Sequence, residues 1–101
     1  MDSFTVDMMM SEATIKFTDN LVSNTVEDLR ETLKKLLSDQ IDKIYMDFQS
    51  VDMIDSMGIG LLVSTHNTLT ARNSELVILN LSSDLHELFS VMRLNEFFKI
   101  Q

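Results

Sequence analysis

The chain predicts an α/β fold with a mixed, mostly parallel sheet that opens on a hairpin. Three observations carry this. Short β-branched and apolar runs alternate with helical stretches of 10–16 residues from Asn24 onward, the pattern of a parallel sheet crossed over by helices. Two alternating segments stand back to back at the start, before any helix. The 101 residues, 45% of them hydrophobic, suffice for a single folded domain over 1–101 and argue against disorder.

The elements follow in order. Phe4 to Met10 alternates and then runs into Met8-Met9-Met10, and Thr14 to Phe17 alternates again, which predicts the two strands of the hairpin with the methionines as edge or core packing. Asn24 with Glu27 three residues on reads as a capping box, and Val26, Leu29, Leu33, Leu36 and Leu37 recur at helical spacing behind it. Glu27 and Asp28 early and Lys34 and Lys35 late would complement the helix dipole. Lys43 to Phe48 reads as a strand facing Ile44, Met46 and Phe48 to one side. A second helix is expected from Ile59 to about Ala71. Glu75 to Asn80 is nearly all apolar, as in a strand buried on both faces. Ser82 or Ser83 would cap a third helix carrying Leu85, Leu88, Phe89 and Met92, and Phe97 to Ile100 would close with a short strand.

Composition excludes several functions. A net charge of −8, from 16 acidic and 8 basic residues, repels nucleic acid and anionic membrane and serves solubility. The chain has no cysteine, hence neither disulfides nor thiolate metal sites. The start Met1-Asp2-Ser3-Phe4 lacks the basic run and apolar stretch of a leader, and no apolar run is long enough to span a membrane, so a cytoplasmic location is expected.

The candidate site is Asp55-Ser56-Met57-Gly58-Ile59-Gly60, which holds the only two glycines of the chain. It follows the third strand and the apolar residues Val51, Met53 and Ile54, at the carboxyl end where parallel sheets place their sites. Ser56 or Asp55 would cap the second helix. Glycine there costs about 0.5–1 kcal/mol against alanine, so its presence calls for close packing on the sheet or close approach by another surface. No Lys or Arg lies between Lys43 and Arg72, while Asp52 and Asp55 flank the serine. A phosphate on Ser56 would add about −1.5 to −2 charges to this stretch and act by repulsion and bulk.

Other constellations fail. Gly58-x-Gly60 lacks the third glycine of a nucleotide fingerprint, as position 63 is Val63. A serine hydrolase elbow would need glycine where Ile54 stands. His66 and His86 sit on different expected helices without metal-ligand spacing. Asp47 and Asp55 lack the acidic pocket of a response-regulator receiver. No enzyme activity, cofactor or metal is expected.

The motif Asp55-Ser56-Met57-Gly58-Ile59-Gly60, after the strand Ile44 to Phe48, resembles the signature of STAS domains. It is most similar to that of bacterial anti-sigma factor antagonists, which carry Asp-Ser-x-Gly-x-Gly. Leu88-Phe89 with Leu94, Phe97 and Phe98 is similar to the family's closing segment, and the resemblance spans about Phe4 to Ile100. It implies a STAS-like fold with helices packed on one face of the sheet. It also implies a partner switch: the unmodified protein binds an anti-sigma factor that is a serine kinase, the kinase phosphorylates the serine corresponding to Ser56, the partner is released, and a PP2C-type phosphatase resets the system. Partner contacts would fall on Asp55, Ser56, Met57, Gly58, Ile59 and Gly60, and on Asp19, Asn20 and Val22 of the preceding loop. Similar domains control other outputs, such as biofilm formation or secretion, or serve as constitutive subunits of lipid-transport ABC complexes.

Two departures stand out. The family's Thr-Gly-x-Leu-Asp is Thr18-Asp19-Asn20-Leu21-Val22 here, so Val22 replaces the usual acid, with Asp19 as a substitute by position. Many relatives add a helix after the last strand, whereas this chain stops at Gln101; an uncovered last strand would favour weak self-association.

Overall fold

A computed structural model describes residues 3–101. Met1 and Asp2, part of the acidic start, lie outside the described residues. Strands β1 (Phe4–Met9) and β2 (Glu12–Phe17) form the antiparallel hairpin, with Phe4 opposite Phe17 and Met9 opposite Glu12. Helix α1 (Ser23–Ser38), strand β3 (Lys43–Asp47), helix α2 (Ser56–Ala71), strand β4 (Glu75–Leu79), helix α3 (Ser83–Val91), a 3-10 turn (Leu94–Glu96) and strand β5 (Lys99–Ile100) follow. The sheet order is β1-β2-β3-β4-β5, and every pairing after the hairpin is parallel. The expected fold is therefore the observed one.

Strand alternation decides which face is covered. Ala13, Ile15 and Phe17 of β2, Ile44 and Met46 of β3 with Phe48 just beyond it, and Leu76 and Ile78 of β4 share one core with Val26, Leu29 and Leu33 of α1, Leu62 and Leu69 of α2, and Leu85 and Phe89 of α3. Burying each large side chain contributes about 1.5–3 kcal/mol. Phe4, Phe17 and Phe48 run across three neighbouring positions with ring centroids 6.2 and 5.0 Å apart. The opposite face carries Thr14, Tyr45 and Asp47, none of them buried, and a row of charges in which Glu75 pairs with Lys43 at 3.4 Å and with Lys99 at 3.3 Å. Val77 alone of that face in β4 is fully buried, so β4 is covered on both sides at its centre.

Helix starts differ from expectation. Helix α1 begins at Ser23, and its N-cap is Val22, whose side chain makes no capping bond. Asn24 lies inside the first turn and caps nothing, and Glu27 and Asp28 fall beyond that turn, which holds no acid; of the two late lysines only Lys35 lies in the last turn. Thr25 explains the shift: it is buried and its Oγ1 donates to the carbonyl of Asn20 at 2.9 Å, which draws the chain into helical turn earlier. Helix α2 likewise starts three residues before Ile59, because Asp55 caps it. Ser82 caps α3, accepting from the Leu85 amide at 3.2 Å. The closing strand is shorter than expected, since Leu94–Glu96 winds into a 3-10 turn and leaves only Lys99–Ile100 for pairing.

The methionine run is an exposed edge. Met8, Met9 and Met10 are 49%, 77% and 95% exposed at the hairpin tip, so none belongs to the core. Among the described residues no helix is long and apolar enough to cross a membrane.

Candidate functional site

The site is assembled from two segments far apart in sequence. Leu21 pairs with Ile54 as an isolated parallel bridge: the Leu21 amide donates to Met53 O at 3.1 Å, and the Asp55 amide donates to Leu21 O at 3.2 Å. The loop after β2 and the segment before α2 thus lie side by side. Asn20 and Leu21 thereby meet the segment before α2, and Asp19 and Val22 line the cleft beside them.

Asp55 is the N-cap of α2. Its backbone is extended (φ −89°, ψ 179°), and its Oδ1 accepts from the Gly58 amide at 2.9 Å. The competition between Asp55 and Ser56 for the cap is settled in favour of the acid. Ser56 is then the first residue of the helix and is exposed, so its hydroxyl is spared the structural duty that would hide it. Met57 beside it is 44% exposed and Met53 58%, which puts two flexible apolar side chains on the same surface as Asp52 and Ser56.

The two glycines do different work. Gly58 is buried, and a Cβ there would stand 2.7 Å from Leu21 O and 2.8 Å from Ile54 Cγ2. Its bare backbone is what lets α2 press against the Leu21–Ile54 bridge. Gly60 is exposed with nothing within 4 Å of such a Cβ, so intramolecular packing does not account for it. Neither glycine adopts a positive φ. Ile59 is half-buried and packs against the core.

Asn20 turns its side chain inward to the motif segment, and its Oδ1 accepts from the amides of Asp52 at 2.8 Å and Met53 at 3.1 Å. Asp19 is exposed and bonds the Asn20 amide at 2.7 Å. Val22, Asp19, Thr18, Thr25 and Asp28 line an open cleft of about 390 Å³. Asn20, expected as a contact residue, also bonds a segment more than 30 residues away, a pairing that nothing in the local sequence signals.

The histidines stand apart from this face. His66 on α2 packs against the rings of Phe97 and Phe98 at centroid distances of 6.2 and 5.5 Å, and His86 is exposed on α3. Among the described residues no group of three or more His, Asp or Glu could hold a metal ion.

The mixed sheet behind an opening hairpin, with an exposed serine in the first turn of α2 and an acid as its cap, is the arrangement expected of a STAS domain, and the chain belongs to the STAS domain family, whose model matches residues 7–101. Among curated relatives it is similar to the anti-sigma-B factor antagonist of Staphylococcus aureus, with 35% identity over 72 residues that cover 71% of this chain and 67% of that protein. Among solved structures it resembles a putative anti-sigma factor antagonist from Thermotoga maritima, at a TM-score of 0.89 and 15% identity over 96% of this chain and 84% of that one. It also resembles the anti-sigma factor antagonist SpoIIAA in its unphosphorylated form, at a TM-score of 0.81 and 20% identity over 97% of this chain and 86% of that one. The phosphorylated form of SpoIIAA, from Bacillus, matches at 0.79 with 21% identity, over 97% of this chain and 90% of that one.

Proposed function

We propose that the chain is a phosphorylation-switched adaptor of the anti-sigma factor antagonist type. With Ser56 unmodified, the face made by Asp19, Asp52, Met53, Asp55, Met57 and Gly60 binds a serine kinase that is also an anti-sigma factor. ATP-dependent phosphorylation of Ser56 releases that partner, and a PP2C-type phosphatase reverses the step.

One observation carries this reading: Ser56 is exposed at the start of α2 while the neighbouring Asp55, not Ser56, caps the helix. A phosphate there would sit in a stretch with Asp52 and Asp55 and no Lys or Arg between Lys43 and Arg72. At an effective dielectric near 20, a clash of like charges at close range costs on the order of 4 kcal/mol. That corresponds to roughly a thousandfold loss of affinity. Repulsion at a rigid face requires no refolding. The 35% identity to an anti-sigma-B factor antagonist supports the antagonist reading.

The experiment is capture of partners from cells of the source organism on unmodified protein, with phosphosite mapping of the native chain. Ser56→Ala should retain the captured kinase and resist release by ATP, and Ser56→Asp should bind it more weakly. Equal affinity for wild type and both variants would overturn the switch. An unphosphorylated Ser56 with a stably bound transport ATPase would replace it by a constitutive subunit role.

A further inference from the structure

We infer that Asn20 is a positioning residue for the Ser56 segment, clamping the chain before α2 in the geometry the partner reads. The inference rests on the reading of Ser56 above.

The side chain of Asn20 ties the two loops together, and its backbone groups anchor it within its own loop. Its Oδ1 takes the amides of Asp52 at 2.8 Å and Met53 at 3.1 Å, its own amide is held by Asp19 Oδ1 at 2.7 Å, and its carbonyl accepts from buried Thr25 at 2.9 Å. Because both partners of the side chain are N–H donors, the atom facing them must be the amide oxygen. Leu21 completes the clamp by accepting the Asp55 amide. The amides of Asp52, Met53 and Asp55 are thus all directed to residues 20 and 21, and Ser56 follows immediately. This segment lies outside helix and strand except for the single Leu21–Ile54 bridge, so no ladder holds it. Asn20 supplies the missing ladder from a side chain.

The residue type is informative. Three neighbours in sequence or across the bridge, Asp19, Asp52 and Asp55, are acids. A carboxylate at position 20 would accept the same two amides but add a charge to that group. The neutral amide gives the acceptor without it. Asn20 therefore contributes to partner binding by fixing where Asp52, Met53 and Ser56 stand, rather than by offering its own side chain.

The test compares Asn20→Ala and Asn20→Asp with wild type. Backbone amide exchange, followed by NMR on the isolated chain, should speed up at Asp52 and Met53 by about tenfold or more in Asn20→Ala while the core strands keep their protection. Asn20→Asp should restore that protection. With the kinase captured above as probe, Asn20→Ala should lower kcat/KM for phosphorylation of Ser56 by about tenfold, and Asn20→Asp should recover most of it. Unchanged exchange at Asp52 and Met53 in Asn20→Ala overturns the clamp whatever the partner does. Faster exchange with Ser56 phosphorylation within twofold of wild type overturns the positioning role while leaving the switch intact. If wild type itself is never phosphorylated, the switch fails, and the exchange measurement still decides the clamp.

Discussion

A Cβ on Gly58 would lie 2.7 Å from the carbonyl oxygen of Leu21, closer than side chains approach backbone oxygens. The contact joins the first turn of α2 to the loop after β2, and it makes Gly58 part of the packing rather than of the exposed surface.

The two glycines should therefore respond oppositely to alanine. At Gly58 the methyl meets a backbone atom and the Ile54 side chain, neither of which has room to move away cheaply. Overpacking of this kind costs about 1–3 kcal/mol, offset by about 0.5–1 kcal/mol of helix propensity. Gly58→Ala is expected to be destabilised by about 1–2 kcal/mol, measured by denaturant unfolding. Gly60→Ala meets nothing and is expected to gain about 0.5–1 kcal/mol. If Gly60 lies where a partner backbone approaches, the same variant binds the captured kinase less tightly despite its higher stability. A stabilised Gly60→Ala with full affinity would remove Gly60 from the interface.

The sequence carried the order of elements because the relevant signals are local. Period-2 alternation in Lys43 to Phe48 and 3.6-residue spacing from Val26 to Leu36 survive without knowledge of neighbours. The site was legible in type for the same reason: an acid, a hydroxyl and two glycines stand in six residues. What stayed hidden depends on contacts across the chain. The start of α1 differs from the expected Asn24 cap because Thr25 bonds Asn20 and Val22 takes the cap position without a capping side chain. The distinct roles of Gly58 and Gly60 follow from where Leu21 lies, and Leu21 is 37 residues from Gly58 in sequence.

The charge row on the open face gives a pH prediction. The Lys99 ammonium, bonded to Glu75, is the main cause that holds the Glu75 carboxyl below its ordinary value of 4.5, with Lys43 adding to it. Lys43 is raised above its ordinary 10.5, chiefly by the charge of Tyr45 and then by the hydrogen bond to Glu75. A depressed carboxyl stabilises the fold fully above its unfolded value and loses that contribution as pH falls through the folded one. A raised ammonium stabilises fully below its unfolded value and loses the contribution as pH rises through the folded one. Glu75→Gln should therefore melt slightly below wild type at neutral pH, and the difference should shrink as pH drops below about 4.5. All three groups face solvent, so the effect is small and fades with salt. A gap that widens in acid would show that another carboxylate governs the acid limb.

Val22 stands where the resemblance implies an acid, and its place as the cap of α1 allows a test. Its backbone, φ −122° and ψ 177°, has the extended geometry of a good N-cap, yet a valine side chain has no acceptor for the free amides of the first turn. Asp, Asn and Ala at position 22 all lose the half-buried isopropyl group, so comparison among them isolates the cap. Asp and Asn should each exceed Ala by about 1 kcal/mol, or roughly 4–8 °C in Tm for a domain of this size. Asp19 and Asp28 line the same cleft, so a carboxylate added there meets two like charges. Asn should consequently outrank Asp at low ionic strength, and the two should converge as salt screens the cleft. Thermal melts of the three variants across a salt series measure both effects. If Asp remains the more stable at low salt, attraction to the helix dipole outweighs repulsion in the cleft, and charge crowding does not account for the valine.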